Sequence, residues 1–228
     1  MSWRTVFRQA FFYTIPVMMG YLVLGTAFGL VMSRINVSWL WAVAMSIFVF
    51  AGSLQFVLAS LIASQASLAS IAIATLAVNS RHIFYGLSFI DTFKAMGWRR
   101  PYMIFSLTDE TYALFCALPN VPLDQNEKHK MFAISALDQS YWVAGTIIGS
   151  LLGHMVPIDF TGVDFAMTAL FTVITIDQWR EHKNRIPAIT GGVCAVASLI
   201  LLGADRFLLP ALVASVLILS CTMKRVKP

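Results

Sequence analysis

The sequence predicts an all-α integral membrane protein with about seven to eight transmembrane segments, broken helices and a candidate internal repeat. Three observations predict it. Of 228 residues 58% are hydrophobic and only 12% are charged, whereas a soluble domain carries about 25% charged residues; there is too little charge here to coat a globule. Apolar stretches long enough for a bilayer core, about 20 residues, recur along the whole chain. Polar residues gather inside several of them, as in helices that are interrupted where they line a cavity.

In chain order, Met1 to Gln9 is amphipathic, with Arg4 and Arg8 close to Trp3 and Phe7, and suits a cytoplasmic interface. Span one, Ala10 to Ser33, holds Pro16, Gly20, Gly25 and Gly29; small residues permit close helix contact, and Pro16 bends a span where neighbours satisfy the freed carbonyl. Span two, Trp39 to Ala63, has a polar break at Ala51-Gly52-Ser53-Leu54-Gln55. Span three, Ser67 to Ile90, is interrupted by Asn79-Ser80-Arg81-His82. A connector, Asp91 to Arg100, leads to a short span four, Tyr102 to Leu118, containing Asp109-Glu110. Pro119 to Lys130 reads as a central loop. Span five, Met131 to Met155, has Asp138-Gln139 near its start, close to the interface. Span six, Phe160 to Ile176, precedes the basic cluster Arg180 to Arg185, and spans seven (Ile186 to Leu202) and eight (Phe207 to Met223) close the chain. With both termini inside, eight spans leave Lys94, Arg99 and Arg100 outside, against the usual bias. A re-entrant span three would bring them inside.

The chain reads as one transporter domain, 1–228, with candidate repeat halves at about 10–95 and 131–223. Gly25-Thr26-Ala27-Phe28-Gly29 matches Gly145-Thr146-Ile147-Ile148-Gly149, and Ala44-Met45-Ser46 matches Ala166-Met167-Thr168. Duplicated halves with broken helices at their meeting point are common in transporters.

Several function classes are excluded or disfavoured. The net charge of +5 sits between apolar runs, where it sets topology, and no basic stripe points to nucleic acid. Cys116, Cys194 and Cys221 lie in apolar surroundings without metal or disulfide spacing and read as buried, inert thiols. There is no phosphate-binding glycine loop and no His-Glu-x-x-His helix, and a triad of Ser53, His82 and an acid lacks the Gly-x-Ser-x-Gly elbow. No enzyme, metal or cofactor is expected.

The candidate binding residues follow from what the bilayer penalises. An intramembrane arginine costs about 2.5–3.5 kcal/mol on insertion scales, and the Arg81 guanidinium is a planar fork suited to a carboxylate. Its alternative is a structural ion pair with Asp109 or Glu110. Gly52, Ser53 and Gln55 sit where a half-helix would expose backbone N–H groups to a substrate carboxylate; the alternative is a small-residue packing point. Phe50 and Phe56 flank the break as apolar walls, and Asn79 stands beside Arg81. Asp109, Glu110 and His82 are candidates for proton coupling or for holding an ammonium group.

These breaks carry a family resemblance. Pro16-x-x-x-Gly20-Tyr21-x-x-x-Gly25, Phe50-Ala51-Gly52-Ser53-Leu54-Gln55-Phe56, Asn79-Ser80-Arg81-His82-Ile83-Phe84-Tyr85-Gly86, Thr108-Asp109-Glu110-Thr111-Tyr112-Ala113-Leu114 and Asp164-Phe165-Ala166-Met167 resemble the AzlC-type branched-chain amino acid permease family over nearly the whole chain. The family often has a proline between Tyr21 and Gly25, where this chain reads Leu22-Val23-Leu24. The resemblance implies export of branched-chain amino acids such as valine across the bacterial inner membrane by a multi-pass protein, with a small AzlD-like membrane subunit as partner. Uptake is the alternative direction, and an intramembrane enzyme or a purely structural subunit the alternative class.

Overall fold

A long apolar run forms the first helix, α1 (Trp3–Arg34), which continues through Pro16 and three glycines. The computed structural model describes residues 3–118, 123–155, 172, 176, 179–180, 185–203 and 207–223. After α1 come α2 (Trp39–Phe48), α3 (Gly52–Ala63), α4 (Leu68–Ser88), α5 (Ile90–Lys94), a 3₁₀ turn (Gly97–Arg99), α6 (Arg100–Phe105), α7 (Asp109–Ala117), α8 (Gln125–Met155), α9 (Ile186–Leu202) and α10 (Leu208–Met223). No strand occurs among the described residues. Among them α1 alone is by itself long and apolar enough to cross a membrane. Span six, apart from residues 172 and 176, and its Asp164-to-Met167 motif lie outside the described residues.

The chain divides into two units, residues 1–56 with 80–163, and residues 57–79 with 164–228. The first is built on the pair α1 and α8. A Cβ on Gly25 would lie 2.7 Å from the Trp142 carbonyl oxygen, and one on Gly145 would lie 2.8 Å from that of Leu22. At Gly29 and Gly149 it would overlap the carbonyl oxygens of Thr146 and Thr26. The two matching pentapeptides therefore lie backbone to backbone against one another, a small-xxx-small contact on both faces. Around the pair, Phe93, Met96, Met103, Leu107, Phe115, Met131 and Ile134 form an apolar core. In the second unit α9 and α10 pack together, and Gly203, at φ 75, ends α9 in a conformation that a side chain would strain.

Four features differ from the sequence reading. The helix α4 runs unbroken through Asn79-Ser80-Arg81-His82. Polar side chains do not interrupt a helix whose backbone bonds are internal, and none of the four is proline or glycine. Span four is instead two short helices, because Thr108 turns extended (φ −79°, ψ 175°) and its hydroxyl accepts from the Thr111 N–H. The central loop ends at Asp124, not Lys130: its Oδ1 accepts from the Glu127 N–H at 2.8 Å and caps α8. Cys116 is exposed, unlike the buried Cys194.

Candidate functional site

Span two breaks at Val49-Phe50-Ala51, where the Phe50 backbone takes φ 41. A bulky residue there is strained by about 1–3 kcal/mol, so its surroundings must hold it. The Phe50 ring, 3% exposed, meets Tyr21 of α1 edge-on at 6.3 Å and Phe105 of α6 at 6.3 Å. Phe105 is the last residue before the second break, Ser106-Leu107-Thr108. The two interrupted helices thus meet at these rings. Trp142 of α8 completes the wall, 5.3 Å from the Tyr21 ring and stacked on Phe28 at 6.3 Å, with Phe56 edge-on to Phe28 at 5.7 Å.

Polar groups close the first break from inside. Gln55, fully buried, accepts from the Ala51 N–H at 3.3 Å and donates to Ser46 Oγ at 3.1 Å. Ser46 Oγ lies 2.8 Å from Thr146 Oγ1, which donates to the Trp142 carbonyl. The side chain of Gln139 donates to the Ile47 carbonyl at 3.0 Å, satisfying an oxygen at the end of α2 that has no helical partner, and accepts from the Tyr102 hydroxyl at 2.9 Å.

Beside the breaks runs an acidic network. The Tyr21 hydroxyl donates to Glu110 Oε2 at 2.6 Å and lies 2.7 Å from Thr108 Oγ1. Thr108 Oγ1 is 3.1 Å from Thr111 Oγ1, which donates to Asp138 Oδ2 at 2.8 Å. Asp138, Thr111, Ser106 and Ser135 are all fully buried. Asp138 Oδ1, the Ser106 and Ser135 hydroxyls and the Trp142 indole N–H have no hydrogen-bond partner among the described residues. Two carboxylates, unsatisfied acceptors and an aromatic wall suit a ligand with a cationic end and an apolar body.

The structure brings together part of the predicted set. Gly52 lies against Trp142, where its Cβ would stand 3.2 Å from the indole ring, while Phe50 meets Tyr21 and Phe56 meets Phe28, the two rings that Trp142 also touches. Ser53 is half-buried in the first turn of α3, and Gln55 braces the break. Glu110 joins the same cluster through Tyr21, while Asp109 begins α7 beside it. His82 lies edge-on to Tyr85 at 5.7 Å, and Tyr85 stacks on Tyr112 of α7 at 4.5 Å. Asn79 belongs to the second unit. The Arg81 side chain lies outside the described residues; its backbone is helical in α4. Asp138 sits about 20 Å along α8 at 1.5 Å per residue and is wholly buried. Sequence reading missed Tyr21, Thr111 and Trp142. The signal for the second break was present in Thr108-Asp109-Glu110, a capping residue followed by acids in the first turn.

A family model described as AzlC protein matches residues 16–156. The branched-chain amino acid transport protein AzlC of Bacillus subtilis is 40% identical over 96% of this chain and 85% of its own length. An uncharacterized membrane protein of Helicobacter pylori J99 is 41% identical, covering 97% of this chain and 96% of its own. The inner membrane protein YgaZ of Escherichia coli is 26% identical over 91% and 85%. No solved structure matches.

Proposed function

Since the chain belongs to the AzlC protein family, we propose that it is a secondary transporter exporting branched-chain amino acids of the L-valine type, and not an enzyme. In this reading it is a multi-pass protein of the bacterial inner membrane with seven to eight spans, and it works with a small AzlD-like membrane subunit. The observation that carries the transport mechanism is the meeting of two helix breaks, Val49–Ala51 and Ser106–Thr108, beside two carboxylates, a partly buried Glu110 and a fully buried Asp138. Discontinuous helices that line a polar cavity are how transporters build a substrate site within the bilayer. The name of the Bacillus relative supplies the substrate class.

The substrate's apolar side chain lies against Phe50, Phe56 and Trp142, which gather beside the first break. Its carboxylate is met by Arg81 and by the first turn of α3 at Gly52 and Ser53, where the positive end of the helix dipole favours an anion. Gln55 holds that turn in place. Glu110, with Asp109 and His82 nearby in α7 and α4, takes the ammonium group or the coupling proton.

The test is release of preloaded radiolabelled valine from cells with and without this chain, in the presence and absence of a co-expressed small subunit. Faster release with both is expected. No change, with the protein confirmed in the membrane, removes the valine-export assignment, and faster accumulation replaces export by uptake. Replacing Arg81 by Ala abolishes the release while the protein still inserts; undiminished release by that variant removes Arg81 from the site.

A further inference from the structure

The acidic network is a series of four oxygen–oxygen contacts: Glu110 to Tyr21 at 2.6 Å, Tyr21 to Thr108 at 2.7 Å, Thr108 to Thr111 at 3.1 Å and Thr111 to Asp138 at 2.8 Å. Each contact at these distances needs one proton between its oxygens. The three hydroxyls supply three. With both carboxylates ionised, one of the four contacts would set lone pairs against lone pairs in a buried site, where an unmade hydrogen bond is most costly. A fourth proton completes the series, and only Glu110 or Asp138 can carry it.

We propose that Glu110 and Asp138 share one exchangeable proton through the Tyr21–Thr108–Thr111 hydroxyl series, and that this is the coupling proton of the transport cycle. The sharing rests on the geometry alone; its place in a cycle rests on the transport reading given above. Two complete arrangements exist. In one, Glu110 donates to Tyr21, Tyr21 to Thr108, Thr108 to Thr111 and Thr111 to Asp138. In the other, every bond is reversed. Passing from the first to the second breaks one O–H bond and forms one at each hydroxyl oxygen, takes a proton from the Glu110 carboxyl and leaves one on Asp138 Oδ2. No electrons are transferred. In both arrangements Thr108 Oγ1 also accepts the Thr111 N–H, so the cap of α7 holds the middle of the series fixed. Thr111 and Asp138 are fully buried, Tyr21 is 4% and Thr108 5% exposed, whereas Glu110 is only partly buried. The proton therefore enters and leaves at Glu110 and is stored at Asp138.

Among the described residues the titratable groups on the surrounding elements are few. Tyr102 of α6 is bonded to Gln139, and Tyr141 of α8 lies 3.1 Å from Thr14 Oγ1. Asp109 and Tyr112 share α7 with Glu110, and His82 and Tyr85 of α4 pack toward Tyr112. The segment at the first break contributes Phe50 and Gly52, which do not titrate.

The test is infrared difference spectroscopy of the full chain in lipid nanodiscs, reading the C=O stretch of protonated carboxyls, with aspartate or glutamate isotopically labelled. At neutral pH one protonated carboxyl from this pair is expected, and its band is lost in both Glu110→Gln and Asp138→Asn, because either amide N–H supplies the missing donor. A band from neither acid, from both at full intensity, or surviving in either variant overturns the sharing. Where a variant does not insert, the labelled wild-type chain answers alone. On alkalinisation the Glu and Asp signals must vanish in one step, and two separate steps overturn the proposal. For the cycle, proton movement accompanying valine flux in vesicles falls about 100-fold or more in Thr111→Val, as on loss of a positioned proton-transfer group; unchanged proton movement removes the series from the cycle. The spectrum needs no substrate, so the two readings fail separately. The expected band without valine release removes the transport assignment, and valine release without the band removes the shared proton.

Discussion

Gln55 illustrates how one side chain fixes a local structure that backbone bonds cannot. It satisfies the Ala51 N–H on one side of the break and donates to Ser46 of α2 on the other. Gln55→Leu keeps the volume and removes both bonds, leaving buried polar groups unmet. The expected cost is about 1–3 kcal/mol, read as a lower unfolding temperature in detergent; an unchanged temperature would mean that the break is held by the aromatic contacts alone. Tyr21 is placed differently. It touches Phe50 and Trp142 with its ring and Glu110 and Thr108 with its hydroxyl, so a single residue joins the apolar wall to the acidic network. Tyr21→Phe keeps the wall and severs the network, which makes it the variant that separates apolar contact from proton transfer in a flux assay. A loss of proton movement larger than the loss of valine binding is the expected result, and equal losses would count against a divided role.

Between helices, the α1–α8 contact is the least forgiving element. Gly149→Leu has a carbonyl in its way, since even a Cβ there would overlap the Thr26 oxygen. Overpacking costs about 1–3 kcal/mol and often more, so this variant is expected to unfold at lower temperature or to fail to accumulate. Gly20→Ala, on the same α1 with nothing within 4 Å of the new Cβ, is the control and is expected to be neutral or stabilising by about 0.5–1 kcal/mol. Similar behaviour of the two would refute the close approach. At the start of α8, the Glu127 N–H beside Asp124, reinforced by Asn126, holds the Asp124 carboxyl below its ordinary range. A depressed folded value means that this cap contributes above the ordinary aspartate pKa and is lost as pH falls through the lower, folded one. Acidification should therefore destabilise the wild type more than Asp124→Ala, in a titration of unfolding temperature; parallel curves would show that the cap is unused.

For the whole molecule, the surface is apolar where a soluble protein's would be charged. Trp41, Phe48, Leu68, Leu76, Ile200 and Leu201 are all at least 70% exposed. That much large apolar surface needs lipid to cover it. The chain is expected to remain in the membrane pellet after alkaline carbonate extraction, and its recovery in the supernatant would contradict the membrane reading.

Composition and spacing by themselves determined the class: the bilayer requires long apolar helices with internal backbone bonds, and this requirement is written in residue types. They also pointed to an interruption of span two at Ala51-Gly52-Ser53-Leu54-Gln55, which the structure moves to Val49-Phe50-Ala51 with Gly52 opening α3, and they paired Gly25–Gly29 with Gly145–Gly149. Only the tertiary structure decided what these features do. It laid the two glycine segments against one another, turned Gln55 inward as a brace, and kept α4 continuous through its polar residues. It also made a second break at Thr108, where a capping residue outcompetes continued helix. The acidic pair came from residues 28 positions apart, Glu110 and Asp138. Such a pairing depends on which helix faces which, and that is set by packing at Gly25, Gly29, Gly145 and Gly149, not by any local pattern around either carboxylate.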